Sequence, residues 1–344
     1  MQSDLQATTH REPPHVQLIQ MASAEWISKI LHTAATLELA DQLADGPKSA
    51  AELADLVHAN APSLHRLMRT LAAIGILAEQ PARRYALTAL GEALKTGAPG
   101  AAKATVLMFG SQAVQDAWDH ALYSVQTGKT GFEKAHGMPL FDYLAQKPEA
   151  ASLFNETMVG FHGQEPPAVA VAYDFSNFKT IIDVGGGTGN LLAAILNRYP
   201  EPRGVLFELP HVTSDTLVSL KAKGVIERVT VEMGNFFEGV PAGGDAYLLS
   251  HIIHDWDEDR CLVILRNIRN AMNPAGRLLI VEMVLPAGDI PHPGKMLDIV
   301  MLVATGGQER TEAEYGILLG KAGLRLTRVV PTNSAVSLVE AVQA

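Results

Sequence analysis

The chain has 344 residues, enough for two or three domains at roughly 150 residues each. Apolar residues make up 47% and charged residues 19%, which excludes a disordered chain and supplies a sizeable core. Asp and Glu outnumber Lys and Arg by 37 to 27, a net charge of -10 that argues against nucleic acid as a partner, and the lone cysteine, Cys261, excludes an internal disulfide.

The polar segment from Met1 to Pro14 lacks the apolar core of a signal peptide, and its first dozen residues read as a disordered tail. No apolar run approaches the roughly 20 residues of a membrane span, so a cytoplasmic protein is expected. A helix is expected from Met21 to Leu43, with Trp26, Ile27, Ile30, Leu31, Leu37 and Leu39 in the core, stopped by Gly46-Pro47. Ser49-Ala-Ala-Glu52 is a capping box that opens a short helix through His58. Pro62 suits the first turn of the next helix, whose Leu64, Leu67, Met68 and Leu71 share one face, and Gly75 ends it. Ile76-Leu77 and Tyr85 to Leu87 read as two strands around a polar tip at Glu79 to Arg84. Helix, turn, helix and a two-stranded wing form a winged-helix pattern. Such a module binds DNA, here through His65, Arg66, Arg69, Arg83 and Arg84, or keeps the fold as an interaction module.

Ala101 to Gly163 reads as mostly helical and rich in bulky side chains, including Trp118, Phe141, Met158 and Phe161. These suit a core or the walls of a pocket for a flat apolar ligand. From Phe178 strands and helices alternate. Thr180–Val184 is the first strand, followed by Gly185-Gly-Gly-Thr-Gly189 and a helix from Leu191 to Tyr199. Further strands are expected at Gly204–Phe207, Val229–Val231, Ala246–Leu249 and Arg277–Val284. Helices are expected at Asp259–Met272 and after a second capping box, Thr311-Glu-Ala-Glu314. Leu324–Val330 and Val336–Val342, with no helix between them, predict one antiparallel edge on an otherwise parallel sheet.

In such a sheet, ligands bind at the carboxyl ends of the strands. The dinucleotide fingerprint fails, because Asn190 stands where its third glycine belongs, and no P-loop Lys follows. Glu208, at the end of the second strand, suits the two hydroxyls of a ribose. A glycine loop plus a ribose-binding acid, without a pyrophosphate signature, reads as a site for S-adenosylmethionine.

Six segments stand in order: Asp183-Val-Gly-Gly-Gly-Thr-Gly189, Glu208-Leu-Pro-His211, Gly234-Asn-Phe-Phe237, His254-Asp-Trp-Asp257, Glu282 and Gly306-Gly-Gln-Glu-Arg-Thr311. Over nearly the whole chain they resemble the class I S-adenosylmethionine-dependent O-methyltransferases of the plant caffeate/flavonoid type, and more closely the bacterial members that tailor aromatic natural products. The resemblance implies an α/β fold, a Rossmann-like class I methyltransferase sheet with an N-terminal helical winged-helix dimerisation domain. It divides the chain into a dimerisation domain over 1–100, a helical linker and pocket region over 101–177, and a catalytic domain over 178–344.

The resemblance also implies roles. Asp183, Gly185 and Gly187 belong to the loop beside the methionine part of S-adenosylmethionine; Glu208 and Leu209 fall at the ribose, and Gly234, Asn235 and Phe236 at the adenine. Relatives commonly carry Asp where Asn235 stands, and its carbonyl oxygen can still accept from the adenine amino group. Ser250 and His251 fall near the cofactor, the base falls on His254, and its flanking carboxylates fall on Glu282 and Glu309. Asp255 and Trp256 suit a helix cap and packing beside the adenine, and Cys261 suits the core. Trp118, Met158, Phe161, His162, Met296 and Met301 are candidate pocket residues. The expected partners are a hydroxylated aromatic small molecule and a second copy of the chain, with no metal, no nucleic acid and no membrane. Two rival readings are a cofactor-binding relative that hydroxylates or decarboxylates its substrate, and a winged-helix regulator. The chemistry agrees with methyl transfer rather than with either rival. A phenol is mostly protonated at neutral pH, and a His can take its proton as the oxygen attacks.

Overall fold

The computed structural model describes residues 12–210 and 213–344. The expected tail therefore lies mostly outside the described residues, as does His211. The chain forms two compact units: one runs to Gln112 and includes Glu149–Phe161, and the other comprises Ala113–Pro148 and His162–Ala344. The expected linker over 101–177 is thus shared between the two units.

In the first unit the opening helix, Pro14–Thr36, starts earlier than expected. It stops where Glu38 turns left-handed at φ 52°, and a separate turn follows at Leu39–Gln42. Ser49 and Glu52 form the expected capping box, but the helix they open ends at Ala54. Asn60 caps the next helix, Ala61–Ala73, by accepting from the Ser63 amide, and Leu64, Met68 and Leu71 are buried along one face. The wing strands, Leu77–Gln80 and Arg84–Leu87, pair antiparallel, and Lys48–Ser49 adds a third strand beside them. Leu39, Leu53, Met68 and Tyr85 fill the core. Trp26 and Ile27, expected in that core, are 70% and 47% exposed. The apolar face of the first helix is therefore wider than its own unit can cover. Arg84, a candidate DNA contact, instead pairs with Glu52 at 2.8 Å and donates to the Pro47 carbonyl.

The second unit is built on seven strands: β1 Thr180–Val184, β2 Arg203–Glu208, β3 Val229–Met233, β4 Ala246–Ser250, β5 Arg277–Glu282, β6 Leu324–Pro331 and β7 Ser337–Gln343. Their order is β6-β7-β5-β4-β1-β2-β3. The last two strands form an antiparallel pair at one edge of the sheet, and the second of them is the inner one. β7 lies between β5 and β6 and runs antiparallel to both. Alternation along each strand feeds two apolar layers: Ile182, Tyr247, Leu249 and Ile280 face one, and Ile181, Leu248 and Leu279 face the other. Thr311 and Glu314 form the second expected capping box. Asp257, not Asp255, caps the helix Glu258–Ala271, by accepting from the Arg260 amide at 2.9 Å. Among the described residues no helix is long and apolar enough to cross a membrane.

Candidate active site

The order β3-β2-β1-β4 reverses direction at β1, and the glycine loop leaves β1 there. Gly185, Gly187 and Gly189 all take positive φ, between 55° and 74°. A Cβ on Gly185 would stand 2.7 Å from Ile252 Cδ1, whereas one on Gly187 would meet nothing within 4 Å. The loop is therefore tight against its own sheet and open on its other side. The Gly187 amide donates to Glu208 Oε2 at 2.9 Å, and the Leu209 amide donates to Glu208 Oε1 at 2.7 Å. Each carboxylate oxygen keeps a lone pair for a further donor. Asp183 is buried, and neither of its oxygens has a hydrogen-bond partner. Burial and the neighbouring charge of Glu208 push its carboxyl up to about 7.

The adenine-side residues lie at the end of β3. The Gly234 amide donates to the Glu208 carbonyl, and Phe236 packs edge-on against Phe237 and Trp256. Phe236 also comes within 3.6 Å of the Cβ position of Gly185. Asn235 has one local partner. Its Oδ1 already accepts from the Phe237 amide at 3.0 Å, which leaves one lone pair for a ligand.

Past β4, a short turn at Ile253–Asp255 carries the expected base. His254 is buried, and its Nδ1–H donates to Glu309 Oε1 at 2.6 Å. Its Nε2 lies 3.9 Å from Asp255 Oδ1. Burial pulls the imidazole pKa down, but the charge of Asp255, the hydrogen bond to Glu309 and the charges of Glu282 and Glu309 outweigh it and raise the ring above its ordinary value. Burial also raises Glu309, and raises Asp255 to about 6. The Glu309 amide is tied to Asp298 Oδ1 at 2.9 Å. Gly307 packs directly on the turn, where a Cβ would fall 1.9 Å from the His254 carbonyl oxygen.

Glu282, the other expected flanking carboxylate, adds its charge to those that raise the ring, but its hydrogen bonds go to the main chain and to Tyr315. Its Oε1 accepts from the main-chain amides of Ile253 and His254, at 2.7 and 3.0 Å, and its Oε2 accepts from the Tyr315 hydroxyl. At the end of β5 the carboxylate is directed at the turn itself. Arg310 donates to the Ile253 and Gln308 carbonyls. Cys261 Sγ lies 3.2 Å from the Ile253 oxygen, and burial pushes the thiol up to about 12, so it is a core group. Arg310 stands inside a segment singled out by sequence. Tyr315, inside a capped helix, gave no signal.

His251 directly follows β4. Its Nε2–H donates to Glu165 Oε2 at 2.6 Å, and His162 Nδ1 shares that oxygen at 3.1 Å. The His162 and His251 rings stack with centroids 3.7 Å apart. The side chain thus joins a His-Glu-His cluster, in which three ligand-type atoms lie within 4.8 Å of one another. Glu165 had no motif to mark it. Ser250 ends β4, paired with Val281. Of the pocket candidates, Met301 is buried, Trp118 is 40% and Met296 76% exposed. Met158 and Phe161 belong to the first unit.

Comparison with known proteins agrees with this architecture. An O-methyltransferase domain family matches residues 118–325, and an O-methyltransferase dimerisation domain matches residues 19–97. The phenazine O-methyltransferase PhzM of Lysobacter antibioticus is 47% identical over 324 residues, 94% of this chain and 95% of that protein. The crystal structure of LaPhzM superposes with a TM-score of 0.92 at 46% identity, covering 97% of this chain and 100% of that one. NcsB1 from neocarzinostatin biosynthesis, solved with S-adenosylmethionine and 2-hydroxy-5-methyl naphthoic acid, has a TM-score of 0.81 at 31% identity, covering 92% and 96%. The chain belongs to the O-methyltransferase family and is an S-adenosylmethionine-dependent, homodimeric O-methyltransferase.

Proposed function

We propose that this enzyme methylates a hydroxyl group of an aromatic natural product or related phenol, with His254 as the general base. The observation that carries this reading is the 2.6 Å bond from His254 Nδ1–H to Glu309, which fixes the tautomer and leaves Nε2 as the atom that receives a proton. The nearby charges of Asp255 and Glu309 raise the ring's proton affinity towards that of a phenol, so the proton moves at lower cost.

The residues at the strand ends fit S-adenosylmethionine. The orphaned Asp183 carboxylate and the open side of Gly187 suit the polar methionine end, and the spare lone pairs of Glu208 suit a ribose. When bound, the cofactor supplies a methyl group on a positively charged sulfur. Glu208, Asn235, Phe236 and the glycine loop hold and orient it, and alignment supplies much of the rate. His254 Nε2 takes the proton from the acceptor hydroxyl, and Glu309 holds the ring in place while it is charged. One relative is named a phenazine O-methyltransferase and another is solved with a naphthoic acid bound, which supports a flat aromatic acceptor. A cytoplasmic location belongs to the same reading and is supported by the single, buried, free thiol of Cys261.

Incubation with methyl-labelled S-adenosylmethionine and a panel of phenols and hydroxyarenes tests the proposal. Label is expected in aryl methyl ethers. Consumption of cofactor with label appearing in no acceptor, or an acceptor hydroxylated or decarboxylated instead, overturns it.

A further inference from the structure

The ring of His251 carries a buried atom that no group in the described chain serves. Its Nε2–H donates to Glu165 Oε2 at 2.6 Å, and because a carboxylate only accepts, the proton sits on Nε2. Nδ1 therefore presents a lone pair, and that atom is buried without a hydrogen-bond partner. Buried acceptors are nearly always paired, so an orphan beside an active site calls for a ligand. Burial lowers the ring to about 4, which keeps it neutral and its lone pair available. The ring cannot easily turn away. Glu165 holds one edge, the His162 ring stacks 3.7 Å away, and the His251 amide donates to the Val281 carbonyl. Its centroid lies 5.2 Å from that of His254.

We propose that His251 Nδ1 accepts a hydrogen bond from a second donor on the acceptor molecule, placed next to the hydroxyl whose proton His254 takes. This rests on the reading of His254 as the base. The preferred substrates are then arenes that carry a hydroxyl or amino group ortho to the methylated hydroxyl. An ortho pair directs two donors to the same side, and adjacent imidazoles offer them two acceptors. An ether or carboxylate at that position brings a second lone pair against Nδ1 and is disfavoured.

The test compares 1,2-dihydroxynaphthalene with 1-naphthol and 2-naphthol in the holoenzyme. The wild-type enzyme is expected to favour the diol by about 10–100-fold in kcat/KM, the effect of leaving one buried acceptor unpaired. In His251→Leu the preference falls to within about threefold. In His251→Asn it is retained, because Asn Oδ1 stands close to where Nδ1 stands and Asn tolerates the left-handed backbone at φ 54°. S-adenosylhomocysteine affinity, measured by calorimetry, is unchanged in both variants. Equal turnover of diol and monools by the wild type overturns the proposal and needs no variant. So does a preference that survives His251→Leu, or a loss of cofactor affinity with the preference intact, which assigns Nδ1 to the cofactor's ammonium. Failure to methylate any hydroxyarene removes the proposed function instead.

Discussion

Glu282 accepts the main-chain amide of His254 at 3.0 Å, while the imidazole of the same residue is turned to Glu309. The two carboxylates therefore divide the task. Glu282 shapes the turn, is itself held by Tyr315 and reaches the ring only through its charge; Glu309 holds the ring by a hydrogen bond as well. Replacing one or the other should produce different defects.

Glu309→Gln should change the pH dependence of catalysis. The base must be neutral to accept a proton, and carboxylate charge raises its pKa, so the wild-type rate climbs with pH along a limb above His254's ordinary value of 6.5. Removing the charge of Glu309 weakens that effect and moves the limb to lower pH by about 1–3 units. The plateau should drop by roughly tenfold, because a weaker base takes the phenol proton less readily. Single-turnover rates across pH provide the measurement. A limb that stays in place means Glu309 does not act on His254.

Tyr315→Phe should act on stability more than on chemistry. It removes a hydrogen bond to a fully buried carboxylate, a loss of about 1.5–3 kcal/mol in urea unfolding. The ring of His254 keeps its Glu309 contact, so kcat should fall by less than about tenfold. Unchanged unfolding together with a severe loss of kcat would reverse this division of roles.

The pattern of the sheet, both capping boxes and the glycine loop were legible because each rests on local spacing. The position of β7 was not. A hairpin reads alike whether its first or second strand joins the sheet. The direction of Glu282 was equally hidden, since a carboxylate at a strand end can serve a ring or the main chain. Glu165 meets His251 across 86 residues with no motif around it. Trp26 and Ile27 mark another limit. Periodicity identifies an apolar face but not whether that face meets its own core or another molecule.

The exposure of that face gives a prediction. Ile19 and Trp26 are 64% and 70% exposed on the first helix, within the matched dimerisation domain. Placing Glu at both positions should bring unpaired charge into the interface between protomers and shift the enzyme towards monomer. Light scattering at micromolar concentration checks this. An unaltered dimer assigns the interface to another face.

Glu208→Ala should weaken S-adenosylhomocysteine by about 1.5–3 kcal/mol, the value of charged hydrogen bonds to a ribose. The Gly187 amide also loses its acceptor, so the loop should loosen as well. Calorimetric titration reads the affinity, and an unchanged value takes Glu208 out of the binding site.

His254→Ala should lower kcat by about 10²–10⁴-fold with a neutral phenol at pH 7, while cofactor affinity stays close to wild type. The ring touches neither Glu208 nor Asn235 in its hydrogen bonding; its partner is Glu309. Removing it leaves the Glu309 carboxylate buried without a partner, so Glu309→Gln combined with His254→Ala is the better-folded control. The defect should also depend on the acceptor. A phenol that is already ionised needs no base, so the loss should shrink as pH rises towards the acceptor's own pKa. It should shrink likewise across a series of increasingly acidic phenols at fixed pH. If the variant instead matches wild type with a neutral phenol at pH 7, alignment alone carries the reaction.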